Sequence, residues 1–504
     1  MRLGIDFGTT RVVVASADRG NYPIVTFETP NGEGCEWYPS LLALRGEDVR
    51  GGHEAEAVLG DSAWQPLRAV KRHLGIAGPQ DRLLGWRVPE LAARFLSMLR
   101  EALSLRSNLG ARPDEPLEVA IAVPAHASAN QRLLTADAFT QAGFRVLRIL
   151  DEPSAAGLEY AWRRPADAQV RRRHIAVYDL GGGTFDASII AMSDVLHEVI
   201  TTEGVSRLGG EDFDAALLEL ACRMADRPEP AEGAERQRML ELCRQEKERI
   251  TSATRRISPD LFADGTASRI PIDEYEAALR PLIDRSLEAL DAALRRVAER
   301  AGQEVERHTV VYQVGGASQL PAVGRALRER FGRRVWRSPY PHASVAIGLA
   351  IAAEEEHSPR IAGSLTRHFG VWRERDAGRN ASFDLIFEKD VPLPGSGLDR
   401  MVRVRRYRAH HNIGHFRFVE CSRLERGAPA GDVTPWAEVR SPLVAELRDR
   451  PLDGVEVERL SGPGDEVEER YLCDGNGIIE VEIVNVTAGY RSAYRPTVDT
   501  AESR

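Results

Sequence analysis

The sequence predicts a large α/β region followed by a smaller β domain, and three observations lead to this prediction. Short apolar runs alternate with helical stretches up to about residue 355, as they do in α/β domains. The polar stretch EEEHSPR then interrupts the pattern, and the residues after it form short β-type runs separated by Gly, Pro and Asp. A length of 504 residues is also enough for several domains with sizeable cores.

These observations divide the chain into four predicted parts. Residues 1–355 form the α/β unit, 356–366 a linker, 367–490 a β-sandwich-like domain and 491–504 a flexible tail. In the third part, VRVRRYRAH and HFRFVEC alternate in places like half-exposed strands, and a D-G-N-G turn precedes the apolar run IIEVEIVNV.

Within the α/β unit, apolar runs predict buried strands and one long helix. The candidate strands are residues 2–5, 11–15, 118–123, 174–178, 187–191 and 308–314. Between residues 278 and 301, apolar side chains recur at spacings of three and four, which predicts an amphipathic helix. Pro281 is expected in its first turn, where proline is tolerated.

Composition excludes several classes of function. The net charge of −9 argues against nucleic-acid binding, because phosphate contacts need clustered Lys and Arg in a basic domain. The 5 cysteines show no CxxC spacing, so we expect a reducing cytoplasmic compartment rather than a zinc ribbon or disulfides. No apolar run approaches the roughly 18 residues of a membrane span, and neither an export signal nor a membrane partner is expected.

Two short acidic glycine turns, DFGTT at residues 6–10 and DLGGGTFD at 179–186, suggest a site for a metal-bound polyphosphate. Glycine lets backbone N–H groups approach phosphate oxygens, threonine hydroxyls add donors, and a carboxylate can hold the waters of Mg²⁺. A single such turn could equally be a hairpin that needs no ligand. Two turns facing each other across a cleft could hold a phosphate chain from both sides.

A third glycine turn, VGGASQLPAVGRAL, follows a strand and opens a helix, where backbone amides again point outward. The Walker pattern GxxxxGK[ST] and the Rossmann pattern GxGxxG do not occur. P-loop and Rossmann sites are therefore not supported.

The succession LGIDFGTT, VPAHASANQRLL, ILDEPSAAGLEYA, VYDLGGGTFDASII, LGGEDFD and VGGASQLPAVGRAL resembles the 70-kDa heat-shock chaperone family of the actin-like ATPase superfamily. The resemblance covers residues 1–355 well and residues 365–490 more weakly, through FEKDVPLP, HNIGHFRF and CDGNGIIEVEI. It implies two ribonuclease-H-like lobes that close on ATP and Mg²⁺, followed by a β-sandwich that binds peptide.

The same resemblance implies roles for individual residues. Asp6 and Asp179 would hold the magnesium ion through water, and Lys71 would position the attacking water near the γ-phosphate. The implied catalytic residues are Lys71, Glu152, Asp179, Thr184 and Asp186. The implied nucleotide-binding residues are Gly8, Thr9, Thr10, Gly181, Gly182, Gly183, Thr184, Gly210, Glu211, Lys247, Thr251, Gly315, Gly316 and Ser318. Without the resemblance to the family, the sequence around Lys71 would indicate only a basic pair on the surface, and the sequence around Glu152 only the start of a helix.

The adenosine end of the site departs from the family pattern. In CRQEKERITSAT, Arg244 replaces the expected Glu and Glu248 the expected Arg, so an arginine that would stack on adenine is lost. The two residues could instead pair with each other at i, i+4 on a solvated helix face. Gln319 and His342 stand where the family commonly has Arg and Asp.

The link between the two domains also departs from the pattern. Asp151 replaces the usual Asn, while Pro124 and Arg132 match residues implied in passing the nucleotide signal between domains. The linker HSPRIAGSLTRHFG is polar where the family has a Leu-rich stretch, so interdomain coupling is expected to be weak or differently built. No long helical segment follows the β domain, and the family's helical lid is expected to be absent.

Three hypotheses of function follow. The first is a chaperone-like ATPase that holds extended polypeptide at a sheet edge and works with co-chaperones. The second is a nucleotide-gated regulatory or scaffold protein without general folding activity, suggested by the altered adenosine helix and linker. The third, a sugar kinase or filament-forming actin relative, shares the phosphate loops, but LGGEDFD and the β domain argue against it.

Overall fold

The structure is a computed structural model. It describes all residues except 62, 77–80, 113, 165–172, 193–195, 232, 263–265, 267, 303–304, 306–307, 355–359, 362–363, 395–398 and 496–504. The helices are α1 (His53–Val58), α2 (Val70–Ile76), α3 (Val88–Leu105), α4 (Ala129–Gln141), α5 (Glu152–Arg163), α6 (Gly210–Met224), α7 (Ala234–Glu248), α8 (Ile272–Ala301), α9 (Pro321–Phe331) and α10 (Ser344–Ala353). Among the described helices, none combines the length and apolar character that crossing a bilayer requires.

The first lobe is built on a five-stranded sheet with the order β12-β11-β1-β2-β5. The strands of the whole lobe, including those of its smaller sheets, are β1 (Arg2–Phe7), β2 (Arg11–Ser16), β3 (Phe27–Glu28), β4 (Gly34–Cys35), β5 (Tyr38–Pro39), β6 (Leu41–Arg45), β7 (Asp48–Gly51), β8 (Gln65–Arg68), β9 (Arg82–Leu83), β10 (Trp86–Arg87), β11 (Glu118–Val123) and β12 (Arg145–Asp151). Helices α3 and α4 share an apolar core with this sheet.

The second lobe contains a six-stranded sheet with the order β19-β18-β13-β14-β15-β20. Its strands are β13 (Arg173–Leu180), β14 (Thr184–Met192), β15 (Leu196–Ser206), β16 (Arg256–Ile257), β17 (Ile270–Pro271), β18 (Val310–Val314), β19 (Val335–Arg337) and β20 (Arg360–Ile361). Helices α6, α8 and α9 pack on this sheet in the largest apolar cluster of the chain.

The two sheets repeat one topology. Strand β1 is antiparallel to β2 and parallel to β11, and β13 is likewise antiparallel to β14 and parallel to β18. The β1–β2 turn and the β13–β14 turn are therefore equivalent positions of a duplicated unit. Helices α5 and α10 pack together between the sheets, and every residue of α10 is buried.

The third unit is a sandwich of two four-stranded antiparallel sheets, ordered β22-β21-β24-β25 and β23-β26-β27-β28. Its strands are β21 (His368–Arg375), β22 (Asn380–Phe387), β23 (Met401–Arg408), β24 (Ile413–Glu425), β25 (Ala428–Pro442), β26 (Glu466–Cys473), β27 (Ile479–Asn485) and β28 (Tyr490–Tyr494). Aromatic rings of Phe369, Phe418 and Trp436 lie at its centre, with centroids 5.3–5.9 Å apart.

One part of the sandwich interior is charged rather than apolar. The Arg373 guanidinium donates to both oxygens of Glu469, at 2.7 and 2.6 Å. Tyr407 donates to the same carboxylate at 2.6 Å, and Tyr471 donates to it as well. Because the Glu469 side chain is 0% exposed, the buried charge depends on these donors for its stability.

Three details differ from the sequence-based expectations. Helix α8 begins at Ile272, so Pro281 lies inside the helix and not in its first turn. Strand β28 takes in residues 491–494 of the predicted tail because they pair with β27. Within the predicted linker, β20 pairs with β15. The β20–β15 pairing joins segments distant in sequence, whereas β27 and β28 are consecutive strands of a hairpin.

The sandwich contacts the first lobe at the start of α4. Both carboxylate oxygens of Glu420, on β24, accept a hydrogen bond from the backbone N–H of Ala129 at 3.1 Å. The Asn476 side chain accepts a hydrogen bond from the backbone N–H of Ile149 at 3.1 Å. Since the N-terminus of a helix carries unpaired N–H groups and positive dipole charge, a carboxylate from the other domain is a favourable cap.

Substituting Glu420→Gln should remove a pH-dependent part of the stability. Burial raises the pKa of Glu420 from 4.5 to about 7, although Ala129, Arg367 and Arg132 oppose the shift. The folded protein therefore retains a proton that the unfolded chain releases, so the contribution is full below about pH 4.5 and is lost as the pH rises through about 7. Relative to the variant, the wild-type unfolding free energy should fall by on the order of 1–3 kcal/mol over this interval.

Calorimetric unfolding across this pH range measures the difference. Glu425→Gln alters an exposed carboxylate of the same strand and should keep the wild-type profile. Parallel profiles for wild type and Glu420→Gln would contradict the prediction.

Candidate active site

The two glycine turns lie against each other between the lobes. A Cβ atom placed on Gly182 would lie 2.3 Å from Oγ1 of Thr10, so the turns approach too closely for a side chain at this position. The backbone of Gly182 also accepts a hydrogen bond from Glu211 N, at 2.7 Å, which ties the second turn to the start of α6. The facing arrangement expected from the repeated motif is present.

A cleft of about 960 Å³ opens at these turns and is lined by both lobes. Of the sequence-predicted residues, it is lined by Asp6, Gly8, Thr9, Thr10, Lys71, Glu152, Asp179, Gly181, Gly182, Thr184, Asp186, Gly210, Glu211, Lys247, Thr251, Gly315 and Gly316. Gly183 and Ser318 do not line it. Gly183 lies beside the Arg72 side chain, and the buried Ser318 hydroxyl donates to the Gly315 carbonyl at 2.7 Å, which shapes the third turn from within.

Lys71 and Glu152 form a close ion pair at the floor of the cleft, with Nζ and Oε1 2.5 Å apart. The Lys71 side chain is 5% exposed. Burial lowers its pKa, but the carboxylates of Glu152 and Asp6 outweigh this effect and raise the pKa above the usual value. Lys71 is therefore a fixed positive charge at neutral pH.

Three aspartates surround this pair: Asp6 and Asp179 lie near the ends of the equivalent strands β1 and β13, and Asp186 lies opposite Asp179 on β14. Enclosure by protein, together with repulsion from Glu152, raises the pKa of Asp186 to about 7 and that of Asp179 well above its usual value. Burial raises the pKa of Asp6 to about 7 despite the opposing effect of Lys71. One ammonium group does not balance these carboxylates and Glu152, so the oxygen-rich site suits a hard divalent cation such as Mg²⁺.

The third turn completes this end of the cleft. Gly315 has a φ of +86°, and a Cβ atom there would lie 2.5 Å from Oδ1 of Asp179. Only glycine combines this backbone conformation with such an approach to the carboxylate. The turn then leads through a short 3₁₀ segment, Ala317–Gln319, into α9.

At the other end of the cleft, the swapped residues of α7 form ion pairs different from those expected. Arg244 pairs with Glu241 at 2.5 Å and approaches Glu56 of the first lobe at 3.8 Å. Glu248 pairs with Arg11, also of the first lobe. The i, i+4 pair that the sequence allowed between Arg244 and Glu248 is replaced by these contacts: Arg244 pairs with Glu241 of its own helix, and Glu248 pairs with a residue of the opposite lobe.

Lys247 points into the second lobe. Its ammonium group contacts Asp214 at 2.7 Å and donates to the Gly210 carbonyl at 2.6 Å. Lysine occurs only at Lys71, Lys247 and Lys389 in a chain with 67 lysines and arginines, and two of the three line the cleft. A compact ammonium group is not equivalent to a forked guanidinium, so this rarity was an unused sequence signal for both cleft lysines.

Sequence reasoning missed several residues that line the cleft, among them Arg11, Trp37 and Arg337. Arg11 follows the first turn directly, and its position next to Thr10 could have marked it. Trp37 carries no local signal, because its place below the Arg11 guanidinium depends on tertiary contacts.

Substituting Gly182→Ala should weaken binding of phosphate ligands about tenfold or more, because the added methyl group separates the two turns. Calorimetric titration with Mg²⁺ and pyrophosphate tests this expectation. Gly60→Ala also adds a methyl group, but at an exposed turn where a Cβ meets no atom within 4 Å and the backbone is not left-handed, so it is the control for binding. Unchanged affinity in Gly182→Ala would mean that the turns do not act together.

Comparisons with known proteins agree with this site. The family model for the Hsp70 protein matches residues 85–359. The chain is 32% identical over 369 residues to the chaperone protein HscA of Shigella boydii serotype 18, covering 70% of this chain and 57% of the relative. It is 31% identical over 378 residues to the HscA homolog of Pseudomonas aeruginosa, covering 70% and 58%.

The chain thus spans a little over half the length of the curated relatives it matches. The predicted fold class is confirmed: two actin-like lobes of ribonuclease-H type are followed by a β-sandwich. Family membership also leaves the sugar-kinase and actin-filament hypotheses without support. The chain belongs to the Hsp70 family.

Proposed function

We propose that this protein is a chaperone-like ATPase that binds and slowly hydrolyses ATP with Mg²⁺ to control the binding of unfolded or extended polypeptide. The observation that carries the proposal is the cleft: two equivalent glycine turns meet above a buried Lys71–Glu152 pair. Family membership supports the same activity. Co-chaperones are proposed as partners, and the cytoplasm as the compartment.

In this proposal the turns bind the phosphate chain. Backbone N–H groups of Gly8 to Thr10 and of Gly182 and Thr184 donate to phosphate oxygens, and the threonine hydroxyls add donors. The Gly181 N–H instead donates to the Thr184 carbonyl and shapes the turn. Asp6 and Asp179 hold the waters of the magnesium ion, with Asp186 nearby. The bound ion supplies positive charge that balances the carboxylates and the phosphates.

Hydrolysis then depends on positioning. Lys71, held by Glu152, orients the attacking water and places positive charge next to the transferred phosphoryl group. Because its ammonium group is already fixed by the carboxylates around it, little reorganisation accompanies the reaction. Thr184 and Asp186 complete the surroundings of the water.

Coupling to the β domain follows from the contacts at α4. Glu420 caps this helix, and Arg132 in its first turn forms a buried ion pair with Asp151. Asp151 directly precedes Glu152, the partner of Lys71. We propose that movement of the sandwich changes the position of Glu152 along this chain of contacts.

The second candidate is a nucleotide-gated regulatory or scaffold protein with a specific partner and no general folding activity. The altered α7 helix motivates it, since Glu248 pairs with Arg11 and Arg244 pairs with Glu241.

Substituting Lys71→Ala should lower the rate of ATP hydrolysis by on the order of 10²–10³, because the charge that orients the water is lost. Single-turnover measurement separates this step from nucleotide binding. Lys389→Ala, which removes the lysine outside the cleft, should hydrolyse ATP like wild type. Equal rates in Lys71→Ala and wild type would show that Lys71 is not catalytic.

Unfolded peptide should stimulate ATP turnover severalfold in the wild type and not in Lys71→Ala, and peptide should dissociate quickly. Steady-state turnover and fluorescence anisotropy of a labelled unfolded peptide measure these effects. A turnover rate that no peptide changes, together with one specific partner in pull-down experiments, would favour the scaffold. Slow peptide release would contradict the expected rapid exchange.

A further inference from the structure

The cleft continues beyond the phosphate turns to an end that the catalytic residues do not use. This end is lined by Arg11 and Trp37 of the first lobe and by Glu248, Gln319 and Arg337 of the second. The role inferred for this end rests on the proposed nucleotide function. A nucleotide held by its phosphates at the turns would place its base farther along the cleft.

Arg11 is held in a defined orientation from two directions. Its guanidinium carbon lies 3.9 Å from the centre of the Trp37 ring, and the group forms an ion pair with Glu248 across the cleft. A guanidinium is planar and stacks on aromatic rings through either face. The indole covers one face of the guanidinium, and Arg11 also lines the cleft that a flat ligand would enter.

Arg337 lies at the end of β19, in register with Gln313 of β18. Its Nη2 donates to Oε1 of Gln319 at 3.4 Å. Within the part of the chain that the structure describes, no carboxylate lies within ion-pair distance of Arg337. It is therefore an exposed cation at the mouth of the cleft whose contact is with a neutral amide.

We propose that Arg11 and Arg337 are the residues that stack on the base of the bound nucleotide. Positions 248 and 319 carry Glu and Gln where arginines are expected, and each replacement contacts an arginine supplied by a different strand. The cleft thus keeps two planar cations at this end, one from each lobe. The swap in α7 moves the stacking residue and does not abolish base binding.

The test compares a ligand with a base and a ligand without one. Affinities for ADP and for pyrophosphate, each with Mg²⁺, are measured calorimetrically for wild type, Arg11→Lys and Arg337→Lys. Lysine keeps the positive charge, including the charge opposite Glu248, but lacks the planar group. Arg333→Lys is the control, since Arg333 is an exposed arginine outside the cleft.

Wild type should bind ADP at least 100-fold more tightly than pyrophosphate, as stacking adds to the phosphate contacts. Each cleft variant should lose about tenfold in ADP affinity and keep its pyrophosphate affinity, and the control should match wild type. ADP affinity unchanged in both cleft variants would overturn the proposal, as would equal losses for both ligands. Pyrophosphate binding without a preference for ADP would overturn it but leave the phosphate site standing, whereas failure to bind either would overturn both.

Discussion

Excess negative charge at the floor of the cleft is the constraint on which the rest of the site depends. Duplication of the strand–turn–strand unit places Asp6 and Asp179 at equivalent strand ends, and Asp186 and Glu152 add to them. The Lys71 ammonium group interacts with the carboxylates of Glu152, Asp6 and Asp179. Such a site is costly without a metal ion and stable with one, so its electrostatics favour a bound cation together with an anionic ligand.

Along the edges of the cleft, ion pairs connect the two lobes. Arg11 and Glu248 pair across the cleft, and Arg72 approaches Glu211 at 3.7 Å. Both pairs are more exposed than the pair of Lys71 and Glu152, and exposed ion pairs contribute less to stability than their number suggests. The cleft thus combines a buried charged floor with more exposed ion pairs between the lobes.

Hydrogen bonds at the start of helix α4 join the β domain to the first lobe. Glu420 supplies the cap of α4, and Arg132 connects the same helix to Asp151. A buried carboxylate on one domain and a helix dipole on the other attract each other, and apolar contacts of Ala129 and Ile478 accompany this attraction. A polar linker is therefore compatible with communication between the domains.

The sequence by itself determined the strands, the three glycine turns and nearly all of the phosphate end of the cleft. These features are local: apolar runs specify buried strands, and glycines next to an aspartate specify turns that admit a phosphate. The family pattern placed Lys71 and Glu152, although they are far apart in sequence.

Only the tertiary structure decided the partners of the charged residues. Arg244 and Glu248 are one helical turn apart, yet Glu248 pairs with Arg11 of the opposite lobe and Arg244 pairs with Glu241 of its own helix. Trp37 beneath Arg11 and Glu420 at the end of α4 likewise have no local signal. Side-chain pairing depends on which elements the fold brings together. A periodic pattern along the chain does not say which residues distant in sequence will lie close together in space.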